Sequence, residues 1–223
     1  MQLMKRLLIT IDGPAGAGKT TVSREVARHL EYTYVDTGAL YRAVALAVLF
    51  EGCRADDDDK VAQILEGLTL RFENSIRGPR LCMNEVDVSD QIRTHEITMF
   101  ASALSARRVV RDYLLGVQRE MGKNGGVVFE GRDMGTVVFP GADIKFFLDA
   151  DLDVRALRRY RELMTMGADT SLAEVAESMK KRDDDDSSRA LAPLRPARDA
   201  IRIDSGPLAF EEVVEVMLRH IAH

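Results

Sequence analysis

The feature that most constrains this chain is a glycine-rich segment close to its amino terminus. The apolar run 7–11 predicts a short buried strand, and residues 13–20 fit the pattern G-x-x-x-x-G-K-[ST] of a phosphate-binding loop. The helix-compatible segment 20–30 comes directly after it, as this motif requires. An ordinary glycine turn is the alternative, but the flanking strand and helix favour a nucleoside triphosphate site.

The residue types of this loop have a chemical reason. Glycines let the backbone curl so that successive N–H groups converge on an anion at the start of a helix. Lys19 is expected to reach the β- and γ-phosphates, and the Thr20 hydroxyl is expected to bind Mg²⁺. The predicted ATP-binding residues of the loop are Gly13, Pro14, Ala15, Gly16, Ala17, Gly18, Lys19, Thr20 and Thr21.

Composition narrows the class of protein. The 223 residues suffice for one domain with a full core, and 46% hydrophobic with 30% charged residues is ordinary for a globular protein. The net charge of −5 argues against broad nucleic-acid binding, and no apolar run has the length of a membrane span. Cys53 and Cys82 lack metal-ligand spacing, so we interpret both as inert thiols.

The compartment is expected to be the cytoplasm. Residues 1–6 lead directly into the predicted first strand, so we expect no signal peptide.

Strands and helices alternate along most of the chain, which predicts an α/β fold with a parallel sheet covered on both faces. Residues 54–60 resemble a surface connection, and a β-rich stretch with turn residues at 74–79 predicts an insertion. A capping box at Ser171 predicts a helix over 172–182. The remaining predicted strands are 32–35, 126–130, 144–148 and 200–203, and the remaining helices are 40–51, 61–66, 94–105, 107–122, 153–166 and 208–221.

The distribution of arginines suggests a reaction beyond triphosphate binding. Arg42, Arg111 and Arg132 come from three segments that precede or follow predicted strands, where a second anion would bind. A second set flanks a helical hairpin that could close over a triphosphate and exclude water. This set comprises Arg155, Arg158, Arg159, Arg182 and Arg189. Taken singly, each could instead be an exposed helix charge.

The chain resembles the bacterial cytidylate kinases, a branch of the nucleoside monophosphate kinases, almost from end to end. The segments that carry the resemblance are 11–19 (IDGPAGAGK), 36–42 (DTGALYR), 88–94 (VSDQIRT), 131–140 (GRDMGTVVFP) and 190–194 (ALAPL). The resemblance implies an α/β P-loop NTPase core with a parallel sheet flanked by helices, a small β-containing monophosphate-binding insert and a helical lid. We expect one kinase domain over 1–223, with the core at about 1–66, 106–154 and 190–223, the insert at about 67–105 and the lid at about 155–189.

The resemblance also implies roles for individual residues. Arg42 and Arg132 are expected to hold the acceptor phosphate. Ser102, Arg111 and Asp133 are expected to read the cytosine edge, with Asp133 accepting from the exocyclic amine. Arg182 and Asp186 should meet the sugar hydroxyls, and Arg189 should lie near the transferred phosphate. Arg155, Arg158 and Arg159 should belong to the lid and contact ATP. Glu130 should hold Mg²⁺ through water.

These roles define two predicted sets of residues. The acceptor-binding residues are Asp36, Thr37, Tyr41, Arg42, Ser102, Arg111, Arg132, Asp133, Arg182, Asp186 and Arg189, and the catalytic residues are Lys19, Arg132, Arg158 and Arg189. The implied reaction transfers the γ-phosphoryl group of ATP to CMP or dCMP with Mg²⁺, in a monomer that binds neither nucleic acid nor membrane.

Two other functions stay open at this stage. One is a small P-loop kinase for another acceptor, such as AMP, UMP or shikimate, against which the insert argues. The other is a non-enzymatic NTP-gated switch, which would leave the second arginine cluster unexplained. The sequence contains no N-K-x-D guanine-reading motif, which disfavours a GTPase.

Overall fold

The computed structural model describes residues 6–73 and 79–222 and confirms the predicted α/β class. The strands are β1 (Leu8–Asp12), β2 (Thr33–Asp36), β3 (Leu70–Glu73), β4 (Arg80–Met83), β5 (Val86–Asp87), β6 (Val127–Gly131), β7 (Ile144–Asp149) and β8 (Ile201–Asp204). The α-helices are α1 (Lys19–Leu30), α2 (Thr37–Phe50), α3 (Asp58–Glu66), α4 (His95–Leu104), α5 (Arg108–Gly122), α6 (Leu152–Thr165), α7 (Leu172–Ser188) and α8 (Phe210–Ile221). A short 3₁₀ helix spans Gln91–Arg93, and a π-helical turn spans Met134–Val138.

The larger sheet has five strands in the order β2-β6-β1-β7-β8. Strand β1 pairs in parallel with both β6 and β7, and β7 pairs in parallel with β8. This order places the carboxyl ends of β1 and β6 side by side, with Asp12 opposite Gly131. Ligands of open parallel sheets bind beyond such ends, so the topology marks this edge as the site.

The chain divides into two compact units by its internal contacts. The first unit comprises Met1–Tyr34 and Gly125–His223, and the second comprises Val35–Asn124. In the first unit, Ile9, Ile11, Phe146 and Leu148 of the sheet pack against apolar residues of α1 and α8. The second unit has its own core, built mainly from residues of α2, α4 and α5.

The second unit also holds the predicted β-rich segment. Strands β3, β4 and β5 form a three-stranded antiparallel sheet, in which Leu70 lies opposite Met83 and Cys82 lies opposite Asp87. The predicted turn at 74–79 falls largely outside the described residues. Within 6–73 and 79–222, the structure contains no helix long and apolar enough to cross a membrane.

Several predicted helix boundaries differ from those observed: α2 begins at Thr37 rather than at 40, and α8 begins at Phe210 rather than at 208. Helix α3 begins at Asp58 because the Asp57 side chain accepts from the Lys60 N–H and caps it, whereas the sequence predicted a loop there. Helix α7 continues to Ser188, beyond the predicted end at 182. Its acidic run remains helical because Asp183 and Asp186 pair with arginines of other segments, which offsets the repulsion between neighbouring carboxylates.

Candidate nucleotide-binding site

The glycine-rich loop joins the end of β1 to the start of α1, and steric constraints explain two of its glycines. A Cβ on Gly13 would lie 1.9 Å from the Leu148 carbonyl oxygen, so no larger residue fits without moving β7. Gly18 has φ 88° and is the residue that precedes helix α1. Because this left-handed conformation is costly for other residues, glycine at Gly18 lets the loop turn into the helix.

Side chains fix the carbonyl groups of this loop. The carbonyl oxygens of Pro14, Ala15 and Ala17 each accept a hydrogen bond from a side chain. The donors are Lys19 Nζ at 2.6 Å, Arg155 Nη1 at 3.1 Å and Ser205 Oγ at 3.0 Å, respectively. The loop is therefore held in one conformation by contacts from α1, α6 and the segment that follows β8.

Lys19 is buried, with 5% of its surface exposed. Burial is the main reason why the pKa of Lys19 falls to about 7, and the positive charge of Arg132 adds to this effect. The negative charge of Glu130 raises the pKa of Lys19. Arg182 also lowers the pKa of Lys19, which places its charge near the loop. A bound polyphosphate would compensate for this concentration of positive charge.

Thr20, in the first turn of α1, and Glu130, on β6, bring two oxygen-bearing side chains together. The Thr20 hydroxyl donates to Glu130 Oε1 at 2.9 Å, and the buried Tyr34 hydroxyl donates to Oε2 at 2.7 Å. A hydroxyl beside a carboxylate suits Mg²⁺, which prefers oxygen ligands and usually retains waters and substrate phosphates as well. Across the described ranges, no three His, Cys, Asp or Glu side chains are grouped so that they could hold a metal ion.

Asp12, the last residue of β1, contacts the segment that follows the predicted Arg132–Asp133 pair. Its Oδ1 accepts from the Met134 N–H at 2.9 Å, and its Oδ2 accepts from the Gly135 N–H at 2.8 Å. Burial raises the pKa of the Asp12 carboxyl from 3.8 to about 6, although the two N–H donors act to lower it.

Three predicted acceptor residues of the first unit form one charged cluster. Arg132 Nε donates to Asp186 Oδ2 at 3.0 Å, and Arg189 Nη1 lies 3.5 Å from Asp186 Oδ1. Asp186 is buried on α7, and Arg132 also donates to the Gly131 carbonyl at 3.1 Å. Asp133, which follows Arg132 in the chain, is also buried. The structure therefore brings Arg132 together with Asp186 and Arg189, although Arg132 and Asp186 are 54 positions apart in the chain.

The three arginines of α6 that the sequence assigned to the site have different surroundings. Arg155 is buried and donates to Ala150 O at 2.7 Å, in addition to pairing with Asp183. Arg158 donates to the hydroxyl and carbonyl oxygens of Ser205 at 3.0 and 2.6 Å. Arg159 pairs with Glu162 of its own helix at 2.7 Å. Arg155 and Arg158 are thus connected to the loop, and Arg159 lies more exposed.

The remaining predicted acceptor residues belong to the second unit. Asp36 caps α2 by accepting from the Ala39 N–H at 3.0 Å, and Arg42 Nη2 donates to its other oxygen at 2.9 Å. The guanidinium of Arg111 lies 5.9 Å from the centre of the Tyr41 ring.

Arg111 Nη1 also donates to Ser105 O at 3.1 Å. Thr37 is buried at the start of α2, and Ser102 is partly buried on α4.

Sequence reasoning missed two residues that shape this site, Asp12 and Ser205. Asp12 stands directly before the first glycine of the motif, which was the one signal available for it. Ser205 follows β8, and nothing in its local sequence indicates that its hydroxyl would reach the loop.

The parallel sheet and the glycine-rich loop ending in Gly-Lys-Thr define the chain as a P-loop nucleotide-binding protein by class. Two solved structures share the fold at low sequence identity. They are an uncharacterized protein from Eubacterium ventriosum (TM-score 0.52, 14% identity, covering 97% of this chain and 99% of that one) and a shikimate kinase from Acinetobacter baumannii in complex with shikimate (TM-score 0.50, 15%, 98% and 94%).

The sequence comparisons are more specific. The family model described as cytidylate kinase matches residues 9–223. Curated cytidylate kinases from Geobacter sulfurreducens and Syntrophotalea carbinolica are 48% and 45% identical, covering 95% and 98% of this chain and 91% and 93% of theirs. A third, from Ligilactobacillus salivarius, is 42% identical and covers 98% of each chain. The chain belongs to the cytidylate kinase family, and it is a nucleotide kinase.

Proposed function

We propose that this chain transfers the γ-phosphoryl group of ATP to CMP or dCMP, giving CDP or dCDP and ADP. The observation that carries the proposal is the family match over residues 9–223, which includes an intact phosphate-binding loop. We also propose that the chain acts as a monomer in the cytoplasm.

The donor site is the loop Gly13–Thr20 with Thr21 at its end. Lys19 neutralises charge on the β- and γ-phosphates, and the buried position of its ammonium group favours a polyanionic ligand. The hydroxyl of Thr20 and the carboxylate of Glu130 would hold Mg²⁺, the latter through water. When bound, Mg²⁺ neutralises part of the triphosphate charge and orients the γ-phosphate.

The proposed acceptor residues hold the phosphate and the base of CMP. Arg42 and Arg132 hold the CMP phosphate, and Arg111 and Ser102 contact the cytosine. The carboxylate of Asp133 accepts from the cytosine amine. Uracil has a carbonyl oxygen at that position, so UMP would place two acceptors together and bind poorly.

The other proposed acceptor residues surround the sugar and the transferred phosphate. Arg182 and Asp186 contact the sugar hydroxyls, and Arg189 approaches the phosphoryl group. The connection between Arg132, Asp186 and Arg189 supports a common role for these residues. Asp36, Thr37 and Tyr41 complete the set at the start of α2.

Catalysis requires positioning and charge neutralisation without a covalent intermediate. The CMP phosphate oxygen is itself the nucleophile and is already ionised, so in-line attack requires no general base. The helical lid at about 155–189 excludes water. Arg155, Arg158 and Arg159 belong to this lid and contact ATP, and Arg158 also lies near the reacting phosphates. The core, insert and lid boundaries given by the resemblance remain part of this proposal.

The first experiment measures ADP formation from Mg-ATP with CMP, dCMP, UMP and AMP at equal concentration. We expect CMP and dCMP to give the highest kcat/KM. A preference for another acceptor would leave the ATP site intact and refute the acceptor assignment. ATP binding without stimulation by any acceptor would favour a nucleotide-gated switch.

The base-reading role is tested by Asp133→Asn. The amide presents an N–H group as well as a carbonyl, so the variant should raise the KM for CMP by about tenfold and narrow the preference for CMP over UMP. Asp185→Asn, at an exposed position of α7, is the matched control and should leave both values unchanged. An unaltered KM for CMP in Asp133→Asn would remove this role from Asp133.

A further inference from the structure

The buried carboxylate of Asp12 connects two segments that are distant in the chain. Asp12 ends β1 immediately before the first glycine of the phosphate-binding loop, and 3% of its surface is exposed. Its two oxygens accept from consecutive backbone N–H groups, those of Met134 and Gly135, at 2.9 and 2.8 Å. These N–H groups come directly after Arg132 and Asp133.

The segment after Asp133 depends on this contact for its hydrogen bonding. Met134–Val138 forms a π-helical turn, and the first N–H groups of any helical turn lack partners within it. The residue at its amino-terminal cap, Asp133, supplies no side-chain cap. Asp12, the last residue of β1, provides these acceptors. The contact with β1 therefore fixes the position at which the turn begins.

The turn is also packed closely against β1 and β7. A Cβ on Gly135 would lie 3.1 Å from Thr10 Oγ1, 3.2 Å from Lys145 Cδ and 3.4 Å from Asp12 Oδ2. Glycine therefore allows the backbone of the turn to come within hydrogen-bonding distance of the carboxylate. The position of this backbone in turn fixes the backbone positions of the two preceding residues, Arg132 and Asp133.

Keeping an ionised carboxylate at this depth costs free energy. Burial raises the pKa of Asp12 to about 6, with the charge of Asp133 adding to the rise and that of Lys19 opposing it. A carboxylate that accepts two N–H bonds recovers part of the cost, and bonds of this kind are stronger than those between neutral groups. An asparagine could accept only one of the two bonds.

We propose that Asp12 is a positioning residue that aligns the acceptor-binding pair Arg132–Asp133 with the phosphate-binding loop through the backbone of Met134 and Gly135. The inference rests on the proposed function, because Arg132 and Asp133 are assigned there to CMP. One side chain at the start of the donor loop thereby sets the position of the groups that hold the acceptor.

The test compares Asp12→Asn and Asp12→Ala with Thr10→Val in the full-length protein. Thr10 lies on the same strand, is fully buried, and its hydroxyl lacks a hydrogen-bond partner among the described residues, so its removal controls for altered packing under the turn. Steady-state KM and kcat are measured for CMP. The Kd for Mg-ATP is measured without acceptor.

We expect the KM for CMP to rise about fivefold in Asp12→Asn and about twentyfold or more in Asp12→Ala, with kcat reduced in both. The Kd for Mg-ATP should change less than about twofold, since both Asp12 oxygens bond to the turn at Met134 and Gly135. Thr10→Val should match the wild type. An unchanged KM for CMP in Asp12→Asn, or an equal loss of Mg-ATP affinity, would overturn the inference.

Amide hydrogen exchange gives a second readout that does not depend on activity. Exchange of the Met134 and Gly135 amides should be about tenfold faster in Asp12→Asn than in the wild type or Thr10→Val. If the wild type does not phosphorylate CMP, the proposed function fails while exchange still tests the contact. If exchange at these amides is unchanged, the inference fails even where CMP is the substrate.

Discussion

Two buried lysines in the first unit show how differently the same residue type can be used. Lys145 on β7 donates to both carboxylate oxygens of Asp199, at 3.0 and 2.8 Å, and to Pro140 O. Lys19 donates to Pro14 O, and burial together with nearby arginines disfavours its charge. Lys145 thus stabilises the fold, whereas the charged form of Lys19 is disfavoured by burial and would be stabilised by a phosphate ligand.

Substitution of each lysine by methionine separates these roles. Lys19→Met should lower kcat by at least about a hundredfold and raise the free energy of unfolding by about 1 kcal/mol, since a destabilised functional group is removed. Lys145→Met should lower the free energy of unfolding by about 1 kcal/mol and leave kcat within about twofold. Denaturant titrations and initial rates measure both. Destabilisation by Lys19→Met would contradict the assignment.

At the scale of elements, one arginine joins the helical hairpin α6–α7 to the loop. Arg155 on α6 bonds to Ala15 O of the loop, to Ala150 O before the helix and to Asp183 of α7. A small apolar cluster that includes Ala156, Val175 and Met179 packs in the same hairpin. The hairpin is therefore connected to the nucleotide loop by a buried, multiply bonded guanidinium group.

Arg155→Met should destabilise the protein by about 2–3 kcal/mol, because Asp183 loses its partner in a partly buried position. The Kd for Mg-ATP should rise as well, since Ala15 O loses its donor. Arg159→Met on the same helix is the matched control. Its ion pair with Glu162 is exposed, so the free energy of unfolding should change by less than about 0.5 kcal/mol.

A second variant identifies the cause of the Arg155 effect. Adding Asp183→Asn to Arg155→Met removes the uncompensated carboxylate, so part of the lost stability should return. If the double variant is no more stable than Arg155→Met, the loss comes from packing rather than from the unpaired charge.

At the scale of the whole molecule, each compact unit has its own hydrophobic core. The predicted donor residues all belong to the first unit. A ligand that binds only the folded chain stabilises it in proportion to the logarithm of its concentration over Kd. Thermal unfolding with Mg-ATP alone therefore reports ATP binding at the donor site separately from catalysis.

Mg-ATP at about 100 times its Kd should raise the free energy of unfolding by about 2.7 kcal/mol. Chelation of Mg²⁺ should reduce this gain, because the proposed ligands Thr20 and Glu130 would then hold no ion to neutralise the phosphate charge. Lys19→Met at the same ATP concentration is the control and should show a smaller rise in Tm. Equal rises with and without Mg²⁺ would argue against the proposed metal ligands.

Short-range sequence patterns were sufficient for several parts of this protein. The loop at 13–20 is contiguous, so its pattern predicts a phosphate site without any knowledge of the fold. Alternating apolar strands and helices predicted the α/β class, and the capping box at Ser171 and Glu174 correctly marked the start of α7. These features depend on residues within one or two turns of each other, which a sequence displays directly.

Only the tertiary structure decided which side chains support the loop and where α7 ends. Asp12 meets Met134 across 122 positions of sequence, and Ser205 meets Ala17 across 188. The acidic end of α7 stays helical because Arg155 and Arg132 reach it from elsewhere. Such contacts depend on how the strands pair and the helices pack, and local sequence carries little trace of them. The sequence by itself determined the chemistry of the loop, and long-range packing determined the groups that position it.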